Sequence, residues 1–196
     1  GSSSGPDGND TLRNIESVIG SQFGDIITGN SSNNGFNGLR GNDRFDGGAG
    51  TDVVFYTNAA GSVSVTLLDN GTGSSTGADG NDTFVNIENI GGGEFDDTLV
   101  GNRFANTFFG RGGNDTINGG AGIDTVSYFA PRSNYTITQT SPGTYTVVDN
   151  IGRDGTDTLT NVERLQFGGE IISLERGTTR TVPTDFPTIA AAAAVS

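Results

Sequence analysis

The chain has 196 residues, 33 of them glycine, with only 32% hydrophobic residues and a formal net charge of −13. So acidic and apolar-poor a chain cannot build a large conventional core and struggles to stay compact unaided. It has no Cys for disulfides, and all ten positive charges are arginines scattered singly from Arg13 to Arg180, which excludes a basic track for nucleic acid and argues against anionic membranes; no apolar run reaches the roughly 18 residues that span a bilayer.

Residues 7–56 recur at 79–128 with an offset of 72 and no gap. GSSSG at 1–5 aligns at the same offset with GSSTG at 73–77, so it reads as native repeat sequence. In chain order, GPDGNDTLRNIE (5–16) leads into four tandem nonapeptides, GSQFGDIIT, GNSSNNGFN, GLRGNDRFD and GGAGTDVVF (20–55). SVSVTLL (62–68) then alternates like a strand, and the turn-rich DNGTGSSTGADG follows it. GADGNDTFVNIE (77–88) opens the second copy, whose nonapeptides are GGEFDDTLV, GNRFANTFF, GRGGNDTIN and GGAGIDTVS (92–127). NYTITQT (134–140) and TYTVVD (144–149) flank SPG and predict a hairpin with Tyr135, Ile137, Tyr145 and Val147 on its packed face; such a hairpin covers an open sheet end. GRDGTDTLTNVE (152–163) repeats the lead-in motif, and the text beyond Arg176 is Thr-, Pro- and Ala-rich.

Each nonapeptide opens with Gly, carries Asp or Asn at position 6 and Ile, Leu, Val or Phe at position 8. Positions 7 to 9 are too short for a helix and suit a strand whose middle side chain faces inward. The Gly-, Asn- and Asp-rich residues before them suit a tight turn. Two units make one coil of a flattened solenoid, with an inward stripe of Ile27, Phe36, Phe45 and Val54, then Leu99, Phe108, Ile117 and Val126. One coil cannot bury that stripe, so stability comes from stacking. The lead-in motifs fit the same frame, with Leu12, Phe84 and Leu159 inward and Asp10, Asp82 and Asp157 at position 6.

This pattern resembles the haemolysin-type calcium-binding repeat, the RTX nonapeptide of proteins exported by bacterial type I secretion. GGAGTD (47–52) and GGAGID (119–124) match its turn in full, GLRGND and GRGGND miss one small residue, and the earlier turns are more degenerate. The resemblance implies an all-β parallel β-roll, a right-handed β-solenoid in two blocks, holding several Ca2+ ions between turns stacked on the same side. It pairs Asp25 with Asp43, Asn34 with Asp52, Asp97 with Asp115 and Asn106 with Asp124, and places Gly41, Gly48, Gly50, Gly113, Gly120 and Gly122 in the metal turns. Asp10, Asp82 and Asp157 are further ligand candidates, against simple turn stabilisation, while Glu16, Glu88 and Glu163 read as solvated or bonded to backbone. The chemistry agrees independently, since calcium takes six to eight oxygens and a Gly-rich turn aims main-chain carbonyls at a point flanked by carboxylates.

The organisation expected is an incoming partial repeat (1–19), a first roll block (20–55), connecting strands with a partial repeat (56–91), a second block (92–127), a hairpin cap with the closing partial repeat (128–174), and a flexible tail (175–196) whose position and composition resemble a type I secretion signal. No basic and apolar leader opens the sequence, which fits that export route, and the chain reads as the C-terminal piece of a longer protein. With no His or Cys, metalloprotease, thiol and ordinary triad chemistry lack their central group, so the chain itself is not expected to be an enzyme and a catalytic domain of the parent would lie outside it. Two functions stay open: a calcium-triggered folding and export module, with calcium and the type I machinery as partners, or an extracellular adhesin, surface-layer or polysaccharide-binding module like those accessory to alginate epimerases. Both place the chain outside the cell, free or at its surface. Ice binding wants a regular Thr array, which the sequence lacks.

Overall fold

The computed structural model describes residues 2–5, 8–11 and 15–175. The tail from 176 onward, Leu12 and the side chain of Asp10 lie outside the described residues.

The described chain is all-β, with a single 3-10 turn at Arg132–Asn134. Its short strands fall at positions 7 to 9 of each nonapeptide, as at Ile26–Thr28, Arg44–Asp46, Thr98–Val100 and Thr116–Asn118. Successive strands alternate between two sheets, so units 18 residues apart become parallel neighbours in one sheet. Ile27 pairs with Phe45 in one sheet, and Phe36 with Val54 in the other. This register points every position-8 side chain into the space between the sheets. Ile27, Phe36, Phe45, Val54, Leu99, Phe108, Ile117 and Val126 are all at most 1% exposed, so the nine-residue period is the period of the core. The lead-in motifs extend the same stripe through Phe84 and Leu159. Inside it Phe36 stacks on Phe45 at 5.6 Å and Phe45 on Phe84 at 6.3 Å. Burying each such side chain stabilises by roughly 1.5–3 kcal/mol relative to exposure.

The two blocks share one continuous core. On one face, Asn89–Gly91 lies between Val53–Phe55 and Thr107–Phe109, parallel to both. On the other, the hairpin of Val63–Leu67 and Thr72–Gly77 is inserted between Thr83–Val85 and Thr98–Val100. The alternation at 62–68 is this first arm, with Val63, Val65 and Leu67 buried. The stretch after it, expected as turn, is instead largely the second arm. Its residues are small because it crosses an aromatic ring and reaches a carboxylate: a methyl group on Gly73 would lie 2.6 Å from the Phe84 ring, and buried Ser75 bonds Asp82. Hydrophobic alternation is therefore missing from a strand that is nonetheless internal.

At the far end, Tyr135–Ser141 and Thr144–Asp149 form the anticipated hairpin, with Tyr135, Tyr145 and Val147 buried and Ile137 partly so. The other sheet closes with Glu170–Ser173, antiparallel to Arg164–Phe167. Between these ends Tyr128, Tyr135 and Phe167 cluster with centroid separations of 4.8 to 5.3 Å. Among the described residues no helix is long and apolar enough to cross a membrane.

Phe108→Ala should destabilise the calcium-loaded protein by about 3–5 kcal/mol, because the neighbouring coils hold the cavity open. Ile123→Ala, at a side chain 51% exposed, should stay within about 0.5 kcal/mol. Urea denaturation in saturating calcium measures both.

Candidate metal centre

The position-6 residues form ladders along the two edges of the roll. On one edge the Asp25 N–H donates to Asp43 Oδ1 (2.8 Å) and the Asp43 N–H to Asp82 Oδ1 (2.9 Å). The second copy repeats this from Val63 to Asp97 (2.8 Å), Asp97 to Asp115 (2.8 Å) and Asp115 to Asp157 (3.0 Å). On the opposite edge the Asn34 N–H donates to Asp52 Oδ1 (2.6 Å) and the Asn106 N–H to Asp124 Oδ1 (2.8 Å). There the next rungs are Glu88 and Glu163, each accepting through Oε2 at 2.8 Å from the N–H of Asp52 and Asp124. The four sequence pairs are thus adjacent rungs, joined by a backbone N–H to carboxylate bond.

Each rung uses one oxygen, and the fate of the second divides the turns into two kinds. In turns 20–25 and 92–97 it is satisfied locally: Asp25 Oδ2 accepts from the Ser21 N–H at 2.6 Å, and Asp97 Oδ2 from the Gly93 N–H at 2.6 Å. The amide oxygens of Asn34 and Asn106 take the matching N–H of Asn30 (2.8 Å) and Asn102 (3.0 Å). At Asp82 and Asp157 a tyrosine closes the ladder: Tyr56 donates to Asp82 Oδ2 and Tyr128 to Asp157 Oδ2, each at 2.8 Å. By contrast, Asp43 Oδ2, Asp52 Oδ2 and Asp115 Oδ2 are buried and have no hydrogen-bond partner. Asp124 occupies the corresponding place in turn 119–124.

Backbone conformation at position 2 accounts for the difference. Leu39, Gly48, Arg111 and Gly120, in turns 38–43, 47–52, 110–115 and 119–124, are left-handed, with φ of 68°, 93°, 75° and 94°. Ser21, Asn30, Gly93 and Asn102 are not. A left-handed position 2 turns its N–H away from the position-6 carboxylate. The Leu39, Gly48 and Gly120 N–H groups go to the preceding side-chain oxygens of Asn37, Asp46 and Asn118 at 3.1, 3.2 and 3.1 Å. In turns 47–52 and 119–124 the carboxylate oxygen shares the space over the first glycine with a main-chain carbonyl. A methyl on Gly47 would lie 2.5 Å from Asp52 Oδ2 and 2.0 Å from the Asn86 carbonyl, and one on Gly119 would lie 2.2 Å from the Asn161 carbonyl.

The degenerate turns supply a carbonyl floor. A methyl on Gly48 or Gly120 would meet the Asn30 or Asn102 carbonyl oxygen at 2.4 or 2.3 Å. Methyl groups on Gly41, Gly50, Gly113 and Gly122 would meet the carbonyls of Phe23, Ser32, Phe95 and Phe104 at 2.5 to 2.8 Å. Stacking this close leaves no room for a side chain. A second, outer ladder runs through position 5, where Asn33, Asn42, Asp96 and Asn114 accept from the N–H of Thr51, Asn81, Asn114 and Thr156 at 2.7 to 2.9 Å.

Among the described residues no ion pair reaches Asp43, Asp52 or Asp115: Arg40 pairs with Asp79 and Arg111 lies over the Phe55 and Phe129 rings. Burial pushes the Asp43 and Asp52 carboxyls up to about 6 and Asp115 to about 8, with neighbouring carboxylates adding to the effect and the backbone N–H opposing it. Burial also raises Asp97, and lifts Asp157 to about 7. Among the described residues no three carboxylates converge on one point. One orphaned carboxylate oxygen beside several carbonyls fits a hard divalent cation rather than a cluster of acids.

Comparison with known proteins agrees. The family model for the RTX calcium-binding nonapeptide repeat (4 copies) matches twice, at residues 19–54 and 91–126. These blocks belong to the RTX calcium-binding repeat family. Such repeats bind Ca2+, and as a domain they are a structural calcium-binding module rather than a catalytic one. No curated protein matches the chain in sequence. Among solved structures it is similar to the extracellular lipase LipA from Serratia marcescens, at 17% identity and a TM-score of 0.21, over 78% of this chain and 38% of the lipase.

Sequence reasoning alone did not find Tyr56, Tyr128 or the position-2 conformations. The tyrosines recur at the 72 offset one residue beyond the fourth nonapeptide of each block, which is the signal that could have shown them.

In chelator, stability should rise on acidification. These carboxyls titrate higher in the folded chain than in the unfolded one, so their stabilising protonation is complete below about pH 4 and lost as pH climbs through about 6 for Asp43 and Asp52 and about 8 for Asp115. Circular dichroism in chelator should show more β-structure near pH 5 than near pH 8, roughly following these values. Replacing all three by Asn should flatten the dependence; an unchanged profile contradicts the assignment.

Proposed function

We propose that calcium occupies the turns 38–43, 47–52, 110–115 and 119–124, with Asp43, Asp52, Asp115 and Asp124 as carboxylate ligands. Carbonyls of the same turns and of those stacked on them complete the shell. Asp25, Asp97, Asn34 and Asn106 then serve as floor and ladder, and Asp82 and Asp157 as tyrosine-tied ends. The observation carrying this reading is the buried Oδ2 of Asp43, Asp52 and Asp115, which has no hydrogen-bond partner.

The module folds when calcium arrives. At low free calcium the buried carboxylates oppose the coil and the glycines keep their chain entropy. At about ten times Kd each ion adds roughly 1.4 kcal/mol, so four add about 6 kcal/mol, comparable to the roughly 5–15 kcal/mol net stability of a domain. A chain that is a flexible polymer inside the cell and a solenoid outside suits type I export, and once ordered it stabilises or displays a secreted parent protein. The parent's activity resides elsewhere, because the chain lacks His and Cys altogether.

Titration calorimetry at neutral pH should count about four calcium ions. Asp52→Asn with Asp124→Asn should remove the sites on one edge and lower stability by roughly 3 kcal/mol at ten times Kd. The pair Asp25→Asn and Asp97→Asn should keep the ion count. Equal loss from both pairs would sink the assignment.

A further inference from the structure

We propose that a cleft of about 610 Å³ beside the second block, between its turns, the connection Phe129 to Asn134 and the loop Asp149 to Asp154, binds a neutral saccharide. Phe129 offers an aromatic face: it is 69% exposed, and its ring is held from behind by Phe109 at 6.3 Å with an interplanar angle of 23°. Phe109 in turn lies 6.1 Å from Phe55, across Gly91, where a methyl group would sit 2.4 Å from the Phe55 ring. The missing side chain lets the aromatic row form.

Arg111 supplies a cation without a carboxylate partner. Its guanidinium lies 5.7 Å from the Phe129 centroid and 6.0 Å from that of Phe55, and its Nε is buried without a hydrogen-bond partner. Among the described residues the one ion pair within 4.0 Å is Arg40 with Asp79, so neither Arg111 nor Arg153 is claimed by a carboxylate. Asp149 fixes the opposite wall by accepting the N–H groups of Ile151, Arg153 and Asp154 at 2.8 to 3.1 Å. Tyr135 donates to Asp154 at 2.5 Å, which leaves exposed Glu94 as the acceptor not engaged by the loop.

The lining selects the ligand class. A sugar hydroxyl both donates and accepts, so it matches a wall carrying Arg111 and Arg153 beside Glu94 and Asp154, while the less polar face of the ring covers Phe129. A carboxylated sugar meets these acids on a chain of net charge −13, and a purely apolar ligand leaves the charges unsolvated.

The duplication provides an internal control. Where the second copy has Phe109, Arg111, Phe129 and Ala130, the first has Asn37, Leu39, Thr57 and Asn58. There the Asn37 amide bonds Thr57 and Asn58 at 3.0 and 3.2 Å, and Asp79 pairs with Arg40 at 3.4 Å while accepting the Ala60 N–H at 2.9 Å. In the first copy polar side chains bond one another or form an ion pair; in the second, an aromatic row and an arginine without a carboxylate partner stand in their place. The inference does not depend on which turns hold calcium.

The calcium-loaded chain should be tested on immobilised neutral oligosaccharides built from glucose, mannose, galactose and N-acetylglucosamine, with uronate oligosaccharides alongside. At least one neutral series should be retained, and Phe129→Ala and Arg111→Gln should each weaken it about tenfold or more, with circular dichroism unchanged. Ile26→Ala, at a side chain 52% exposed on a strand of the first block, should bind like the parent. Retention of uronates alone, retention of nothing, or undiminished binding by Phe129→Ala would overturn the proposal.

Discussion

Carboxylate oxygens buried in stacked turns without a proton donor are the constraint on which the rest of this structure depends. An unpaired buried charge is among the costliest features a fold can carry, and here it recurs at Asp43, Asp52 and Asp115. Backbone N–H to carboxylate bonds run along both edges, so at these residues the deficit falls on the second side-chain oxygen. It requires a cation that accepts many oxygens, and calcium meets that requirement.

The same constraint explains how the ladders start and stop. Every rung needs an acceptor for the N–H of the residue beneath it, whether or not an ion is near. Where the nonapeptides run out, Glu88 and Glu163 extend one edge with a longer side chain. On the other edge Asp82 and Asp157 end the column, and Tyr56 and Tyr128 complete them with a hydroxyl. A tyrosine donor does at the ends what the proposed calcium does between turns: it satisfies a second oxygen without extending the stack. Both the hairpin insertion and the hairpin at the far end begin beyond these tyrosines, where the nine-residue frame is broken.

Much of this was legible in the sequence because one period governs both turn and strand. Position 8 gave the inward stripe, since a three-residue strand has one inward side chain, and in both blocks those residues are at most 1% exposed. The pairing of position-6 residues 18 apart came with the resemblance to the RTX repeat, in which turns stacked on the same side are alternate nonapeptides. What the sequence hid depended on conformation rather than composition. Leu39 and Arg111 take the same left-handed conformation as Gly48 and Gly120, although their side chains disfavour that region; at Leu39 the Asn37 side chain accepts the N–H that this conformation turns outward. Thr72–Gly77 was hidden because its partners are an aromatic ring and a carboxylate, neither of which demands hydrophobic alternation. Asp25 and Asp43 look alike as text and differ only in where the position-2 N–H points.

An ion-dependent solenoid fits a chain with many glycines, no disulfides and a strong negative charge, since each of those weakens the metal-free state without impeding the metal-bound one. Amide hydrogen exchange at neutral pH, with and without a calcium chelator, tests this most directly. The account predicts that the amides of Arg44–Asp46 and Thr116–Asn118 are protected in millimolar calcium and exchange at unfolded-chain rates in chelator. Equal protection in both conditions would show that the turns tolerate their buried acids unaided and would contradict it.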